Sequence, residues 1–149
     1  MNIAIVGATG NVGRKILEVL ENKSFSVDSL YLVASSKSAG SKLKFKGKEI
    51  EVENLETFDF SKSEITFFSA GGKISEKYVP LAAKHSLVID NSSYFRMDPD
   101  VPLIVPEVNS HDLKNYKKKN IIANANCSVI PLVVALKPLH DLYNIKRIV

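Results

Sequence analysis

Cysteine is nearly absent: Cys127 is the single thiol in 149 residues. An internal disulfide framework is therefore excluded, and a reducing cytosol is the expected setting. Long apolar runs are missing too. The opening stretch Met1-Asn-Ile-Ala-Ile-Val-Gly7 has no basic region ahead of its apolar residues and breaks at Gly7. That falls far short of a membrane span, so no signal peptide and no membrane segment are expected. No segment repeats, and none is of low complexity. The basic residues are not interleaved with aromatics, and no nucleic-acid motif accompanies the formal charge of +4. The lysine excess is thus no argument for a nucleic-acid partner.

What is present suits one globular domain. With 45% of residues hydrophobic and 24% charged, the chain is neither disordered nor membrane-embedded and can bury a core. Much of the lysine belongs to a local pattern. Lys42-Leu-Lys-Phe-Lys46 and Glu49-Ile-Glu-Val-Glu53 each alternate with period two. A type II′ turn at Gly47-Lys48 would set Lys46, Lys44 and Lys42 opposite Glu49, Glu51 and Glu53. Phe45 would then face Ile50, and Leu43 would face Val52, on the other side. Lys117-Lys118-Lys119 precedes a strand and reads as a solvated loop.

Apolar periodicity places strands at 2–6, 30–34, 65–69, 87–90, 104–108, 121–123 and 145–149. Helical stripes run over 12–20, over 75–85 with Pro80 as a weakness, and over 129–143. In the last of these Pro131 suits the first turn, and Pro138 should kink or end the helix. Strands alternating with helical crossovers imply an α/β fold: a Rossmann-like, doubly wound, mostly parallel sheet with a β-hairpin insertion. A strand reaching residue 149 without a closing element implies that more protein follows. A second domain is therefore expected outside this chain.

Gly7-Ala-Thr-Gly-Asn-Val-Gly13 follows the first strand and opens the first helix. In that context backbone N–H groups and a helix N-terminus hold a pyrophosphate. The spacing is G-x-x-G-x-x-G, not the commoner G-x-G-x-x-G. The alternative is a tight strand-to-helix turn that binds nothing. After the second strand, where a carboxylate would bond a ribose 2′-hydroxyl, stand Ser35, Ser36, Lys37 and Ser38. Three hydroxyls and an ammonium form a phosphate site and favour NADP over NAD; a plain polar loop is the alternative.

Cys127 lies between Asn126 and Ser128, after one apolar run and before another. A lone cysteine is most often a buried space-filler. If Cys127 caps the helix that begins at Val129, however, the helix dipole and unpaired N–H groups favour a thiolate, the nucleophilic form.

These pieces together resemble the aspartate-semialdehyde dehydrogenase family over nearly the whole chain. "GATGNVG" resembles its cofactor loop, "ASSKSAG" (34–40) its 2′-phosphate loop, and "FFSAGG" (67–72) the strand end beside the nicotinamide ribose. "VIDNSSYFRMDPDVPLIVPEVN" (88–109) and "NANCSVIP" (124–131), in that order, are the specific matches. The resemblance implies an NADP-dependent enzyme that interconverts aspartyl phosphate and aspartate semialdehyde through a thioester on Cys127. That chemistry belongs to lysine, methionine, threonine and diaminopimelate biosynthesis. Cofactor contacts would fall on Gly7, Thr9, Gly10, Asn11, Val12 and Gly13, on Ser35, Ser36, Lys37 and Ser38, and on Ala70 and Gly71. Arg96 and Asn126 would hold phosphate or the substrate's phosphoryl end, although for Arg96 a surface salt bridge is the alternative. No metal is implied. The partners implied are the small-molecule substrate, phosphate and a second copy in a cytoplasmic homodimer, with no nucleic acid and no membrane.

Lys37 stands where many members carry arginine, keeping the charge but losing the bidentate fork. Ala125, Val129 and Pro131 replace the proline, threonine and glutamine often found around the cysteine. N-acetyl-glutamyl-phosphate reductases share the fold, glycine loop and thioester chemistry, but the 91–109 stretch argues against them. An NADP-sensing module would share only the first motif. None of the three histidines suits a general base for Cys127. His85 lies between a helix and the start of a strand, and His111 opens a helix. His140 is about 20 Å along the helix from Cys127. The resemblance places the family's histidine, its glutamine and the arginine for the substrate carboxylate beyond residue 149.

Overall fold

The computed structural model describes residues 1–23 and 25–148. Its strands are β1 (Asn2–Val6), β2 (Ser29–Ala34), β3 (Lys42–Phe45), β4 (Lys48–Asn54), β5 (Ile65–Phe68), β6 (Leu87–Asp90), β7 (Leu103–Ile104) and β8 (Ile121–Asn124). They form one sheet of order β3-β4-β2-β1-β5-β6-β8-β7. Every pairing is parallel except β3 with β4. Central β1 sends Ile3 and Ile5 to one face and Ala4 and Val6 to the other, and all four are buried. A strand apolar on both sides is what a doubly covered parallel sheet requires.

The helices α1 (Asn11–Asn22) and α2 (Gly72–Ala82) cover opposite faces. Leu17 and Leu20 of α1 pack with Ile3, Ile5, Leu32 and Val52. Tyr78, Val79 and Ala82 of α2 pack with Phe68, Val88 and Ala123. Because α1 leads from β1 outward to β2 while α2 leads from β5 outward to β6, the connections diverge between β1 and β5. That divergence is the switch point at which such sheets open a crevice beyond the strand C-termini. Two further helices, α3 (Pro106–Asn109) and α4 (Val129–Tyr143), follow, and α4 buries none of its side chains. No helix among the described residues is long and apolar enough to cross a membrane.

Several expectations are corrected. The hairpin turns at Lys46-Gly47, both with positive φ (48° and 77°), so the turn is type I′ and not II′. Lys44 opposes Glu49, Lys42 opposes Glu51 and Leu43 opposes Ile50. Moving the register by two residues keeps the alternating lysines and glutamates on the outer face and brings only Lys48 opposite Phe45, so alternation alone could not choose between the two. Burial of Phe45 and the Glu21 carboxylate, which accepts the Lys46 N–H at 2.5 Å, favour the observed register. Glu53, left without a lysine opposite, meets Lys62 at 3.4 Å.

The strand expected at 104–108 is only β7, because Val105 gives way to a helical turn with Pro106 at its first position. α2 ends at Ala82 and not at 85. α4 continues past Pro138 to Tyr143. Residues 145–148 form no strand, and Val149 lies outside the described residues. The lysine run is not merely solvated, since Lys118 pairs with Asp100 at 3.2 Å and Lys119 with Asp98 at 2.7 Å.

Candidate active site

A crevice of about 310 Å³ opens at the switch point, lined by Gly7, Thr9, Gly10, Ala34, Ser35, Ser69 and Ala70, with Val6, Leu55 and Ile74 as its floor. The local sequence explains the shape. Gly7 has φ of 84°, and a Cβ there would lie 2.8 Å from the Ser69 carbonyl oxygen. A Cβ on Gly13 would lie 2.2 Å from the Gly7 carbonyl oxygen. These two glycines let β1, β5 and α1 meet. Gly10 is different: its φ is −77°, and a Cβ would sit at an ordinary 3.4 Å from Gly7.

The first helical bond of α1 runs from Arg14 N–H to Gly10 C=O at 2.9 Å. The N–H groups of Asn11, Val12 and Gly13 thus precede the helical ladder. No side chain caps this end, and its first turn has no acidic residue. The N-terminus of α2 begins at Gly71 (φ 90°) and is likewise uncapped and free of acid. Two partial positive charges therefore border one crevice, which fits a dinucleotide's phosphates.

Ser35 lines the crevice, whereas Ser36 and Lys37 are exposed and Ser38 half-buried, none of the three among its lining residues. The loop closes on itself, with the N–H groups of Ser38 and Ala39 both donating to the Ser35 carbonyl at 2.9 and 3.0 Å. Lys37 makes no ion pair among the described residues. The loop offers an ammonium and hydroxyls beside the end of β2.

The remaining site residues gather at the ends of β6 and β8. Arg96, half-buried, is in no salt bridge among the described residues. Its Nε donates to the Asn124 carbonyl at 2.9 Å and its Nη2 to the Asn91 carbonyl at 3.2 Å. Asn124 Nδ2 also donates to Asn91 Oδ1 at 2.6 Å. The guanidinium thus straddles two neighbouring strand ends and keeps further N–H donors for a ligand.

Cys127 is exposed, not a space-filling core residue. It is not itself the cap of α4. Ile130 N–H donates to Asn126 C=O at 3.0 Å, and Ser128 N–H donates to Asn126 Oδ1 at 2.8 Å. These bonds close a turn over Asn126–Val129 that leads into α4, whose N-cap is Ser128, and Cys127 lies inside that turn. Pro131 has no N–H to offer the Cys127 carbonyl.

Reading motifs alone missed Ser69, Leu55 and Ile74 in the crevice, and it missed the Asn91–Asn124 amide pair. Each of Ser69, Asn91 and Asn124 ends or follows a parallel strand, which is the signal that could have found them. Of the histidines, His85 precedes β6 at the opposite end of the sheet, exposed His111 lies 3.7 Å from Asp112, and His140 is in the last turn of α4. Tyr94 packs near Gly72 and donates to Glu76 at 3.0 Å, a bond that holds its phenol above the usual range.

The model of the family "Semialdehyde dehydrogenase, NAD binding domain" matches residues 2–116. An aspartate-semialdehyde dehydrogenase of Aquifex aeolicus is 57% identical over 149 residues, covering 99% of this chain and 44% of the relative. A crystal structure of aspartate semialdehyde dehydrogenase II from Vibrio cholerae, complexed with ASA, superposes with a TM-score of 0.92 at 52% identity, over 94% of this chain and 46% of that one. The Candida albicans enzyme with NADP gives 0.71 at 28% identity, over 97% of this chain and 48% of that one. The chain thus spans a little under half the length of the relatives it matches. It belongs to the semialdehyde dehydrogenase family and carries that family's NAD-binding domain.

Proposed function

We propose that this chain is the dinucleotide-binding and nucleophile-bearing part of an NADP-dependent aspartate-semialdehyde dehydrogenase, a cytoplasmic homodimer of amino-acid biosynthesis. One observation carries the reading. An exposed cysteine in the turn that leads into α4 stands three residues after Asn124, whose carbonyl anchors a guanidinium that meets no carboxylate among the described residues. The crevice for a dinucleotide lies along the same edge of the sheet.

The nicotinamide dinucleotide, when bound, supplies the hydride acceptor in one direction and the donor in the other. Cys127 Sγ adds to the aldehyde carbon to form a hemithioacetal, and oxidation of that carbon leaves a thioester. Arg96, with Asn126 beside it, holds inorganic phosphate against the thioester carbon. Phosphate attack expels the thiolate and releases aspartyl phosphate; the biosynthetic direction is the reverse. Specificity for NADP rests on Ser35, Ser36, Lys37 and Ser38, and the NADP-bound Candida structure supports it. The general base, the contact to the substrate carboxylate and most of the dimer interface belong to the part of the relatives that this chain does not span.

The test compares two chains. The 149-residue chain should bind NADP yet give no phosphate-dependent NADPH from aspartate semialdehyde. A chain extended to the relatives' length should give it, and should lose it with Cys127→Ser. Turnover that survives Cys127→Ser, or that needs no phosphate, would sink the reading.

A further inference from the structure

Among the described residues Asp90 is the only buried acidic side chain, with no exposed surface at all. Its partners are all neutral. Oδ1 accepts from the Ser75 hydroxyl at 2.8 Å and from Ser92 N–H at 3.0 Å, and Oδ2 accepts from the Ser92 hydroxyl at 2.6 Å. Burying a carboxylate costs free energy that an apolar residue at the same place would not incur. The position of these partners shows what the carboxylate does there.

Ser75 lies in the first turn of α2, its N–H bonded to the Gly71 carbonyl at 3.0 Å. Ser92 lies on the other side, in the loop leading out of β6. While its hydroxyl donates to Asp90, the same oxygen accepts Tyr94 N–H at 3.2 Å and starts the 3-10 turn Tyr94–Met97. Arg96 rides on that turn and reaches back to the carbonyls of Asn91 and Asn124. Asn91 is fixed in turn by its N–H to the Phe68 carbonyl at 2.9 Å. One carboxylate therefore links the helix end at the dinucleotide crevice to the turn that carries the guanidinium.

We propose that Asp90 is a positioning residue that clamps the 91–97 loop to α2 and so aims Arg96 at an anion beside Cys127. The inference rests on reading Arg96 as the phosphate clamp.

Asp90→Asn is nearly isosteric, yet it keeps both Ser92 contacts only by reversing the hydroxyl one and by losing the charge that strengthens them. An amide nitrogen at the Oδ1 place meets the Ser92 N–H donor. At the Oδ2 place it donates to a hydroxyl that already accepts from Tyr94 and must then send its proton elsewhere. The Ser75 link survives the second arrangement, so the fold is kept while the loop loosens. Ser92→Ala is the companion variant. It removes the hydroxyl's bonds to Asp90 Oδ2 and from Tyr94 N–H and leaves the carboxylate and the residue 92 N–H bond in place.

The experiment alkylates Cys127 with iodoacetate and, separately, with neutral iodoacetamide at low salt. A guanidinium aimed at the anion beside the sulfur raises the anionic reagent's relative rate by about threefold to tenfold. Arg96→Ala should abolish that preference. Asp90→Asn and Ser92→Ala should each bring the ratio most of the way to the Arg96→Ala value, with the iodoacetamide rate unchanged and thermal melts showing a folded chain. Loss of general structure would instead move both reagents together. If Arg96→Ala lowers the ratio while either folded companion variant keeps the wild-type value, Asp90 does not position Arg96 and the inference is overturned. If Arg96→Ala leaves the ratio unchanged, the anion-clamp reading falls, and this inference with it.

Discussion

Substituting the glycines of the first turn one at a time separates what the fold requires from what a dinucleotide requires. At Gly13 an added Cβ would sit 2.2 Å from the Gly7 carbonyl oxygen and 2.7 Å from Ala8 Cα. Both obstacles are backbone, so α1 itself would have to move by about an ångström to restore ordinary contact. Overpacking of this kind costs about 1–3 kcal/mol. The helix-propensity gain of alanine, at most ~1 kcal/mol, offsets part of it. Gly13→Ala should therefore lower Tm by about 2–10 °C for a chain of this size, and it should weaken NADP by displacing the turn. Gly10 offers the contrast, with ordinary backbone angles and no internal clash. Gly10→Ala should cost no more than about 1 kcal/mol, the preference for glycine over alanine at an N-cap, with no clash added to it. It should nonetheless lose dinucleotide affinity, because a methyl there blocks close approach of the pyrophosphate. Thermal melts and calorimetric titration with NADP on the three proteins measure both quantities. A Gly13→Ala chain as stable as wild type would refute the packing argument. A Gly10→Ala chain with wild-type affinity would show that the phosphates bind elsewhere.

Other outcomes follow from single contacts. Lys37→Ala should weaken NADP by ~1–2 kcal/mol, the worth of a hydrogen bond to a charged group, and leave NAD nearly untouched; equal wild-type affinities for both cofactors would refute the 2′-phosphate assignment. The Lys119 ammonium, with help from the Asp100 N–H, holds the Asp98 carboxyl below its usual range. A depressed folded-state value contributes stability above the ordinary carboxylate range that fades as pH falls through the lowered one. Urea melts of wild type and Asp98→Asn should therefore differ at neutral pH and converge in acid; a gap that widens in acid would reverse the sign. Native iodoacetamide should label one thiol per chain without denaturant, and none in Cys127→Ser, because Cys127 is exposed; labelling only after unfolding would return it to the core.

The sheet was legible because parallel strands buried on both faces are written as short apolar runs, and β1, β2, β5, β6 and β8 all are. What failed lay where local pattern is degenerate. The hairpin's alternating lysines and glutamates fit two registers that differ by two residues, and only the turn geometry at Lys46-Gly47 and the burial of Phe45 separate them. The run after Leu103 is as apolar as a strand, but Pro106 starts a helix in its midst. The tail after Asn144 has a strand's composition and no neighbouring strand among the described residues to pair with. Periodicity reports what a segment buries, and a partner outside the segment decides whether it is buried.

The placement of the candidate site residues at one edge of the sheet was legible for a related reason. In a parallel sheet every strand C-terminus reaches the same edge, so residues far apart in sequence need only follow a strand to become neighbours. Gly7, Ser35, Ala70, Asn91 and Cys127 each stand within a few residues of such an end. A motif read locally therefore carried its spatial position with it. Hydrogen-bond partners did not travel the same way. Nothing in the order of residues says that the Arg96 guanidinium takes two backbone carbonyls in place of a surface carboxylate, or that Asn126 and not Cys127 accepts the N–H groups of the turn leading into α4. The second of these bears on the chemistry. With those N–H groups taken by Asn126, the thiol is left out of the turn's bonds and its sulfur stays exposed to an incoming carbonyl.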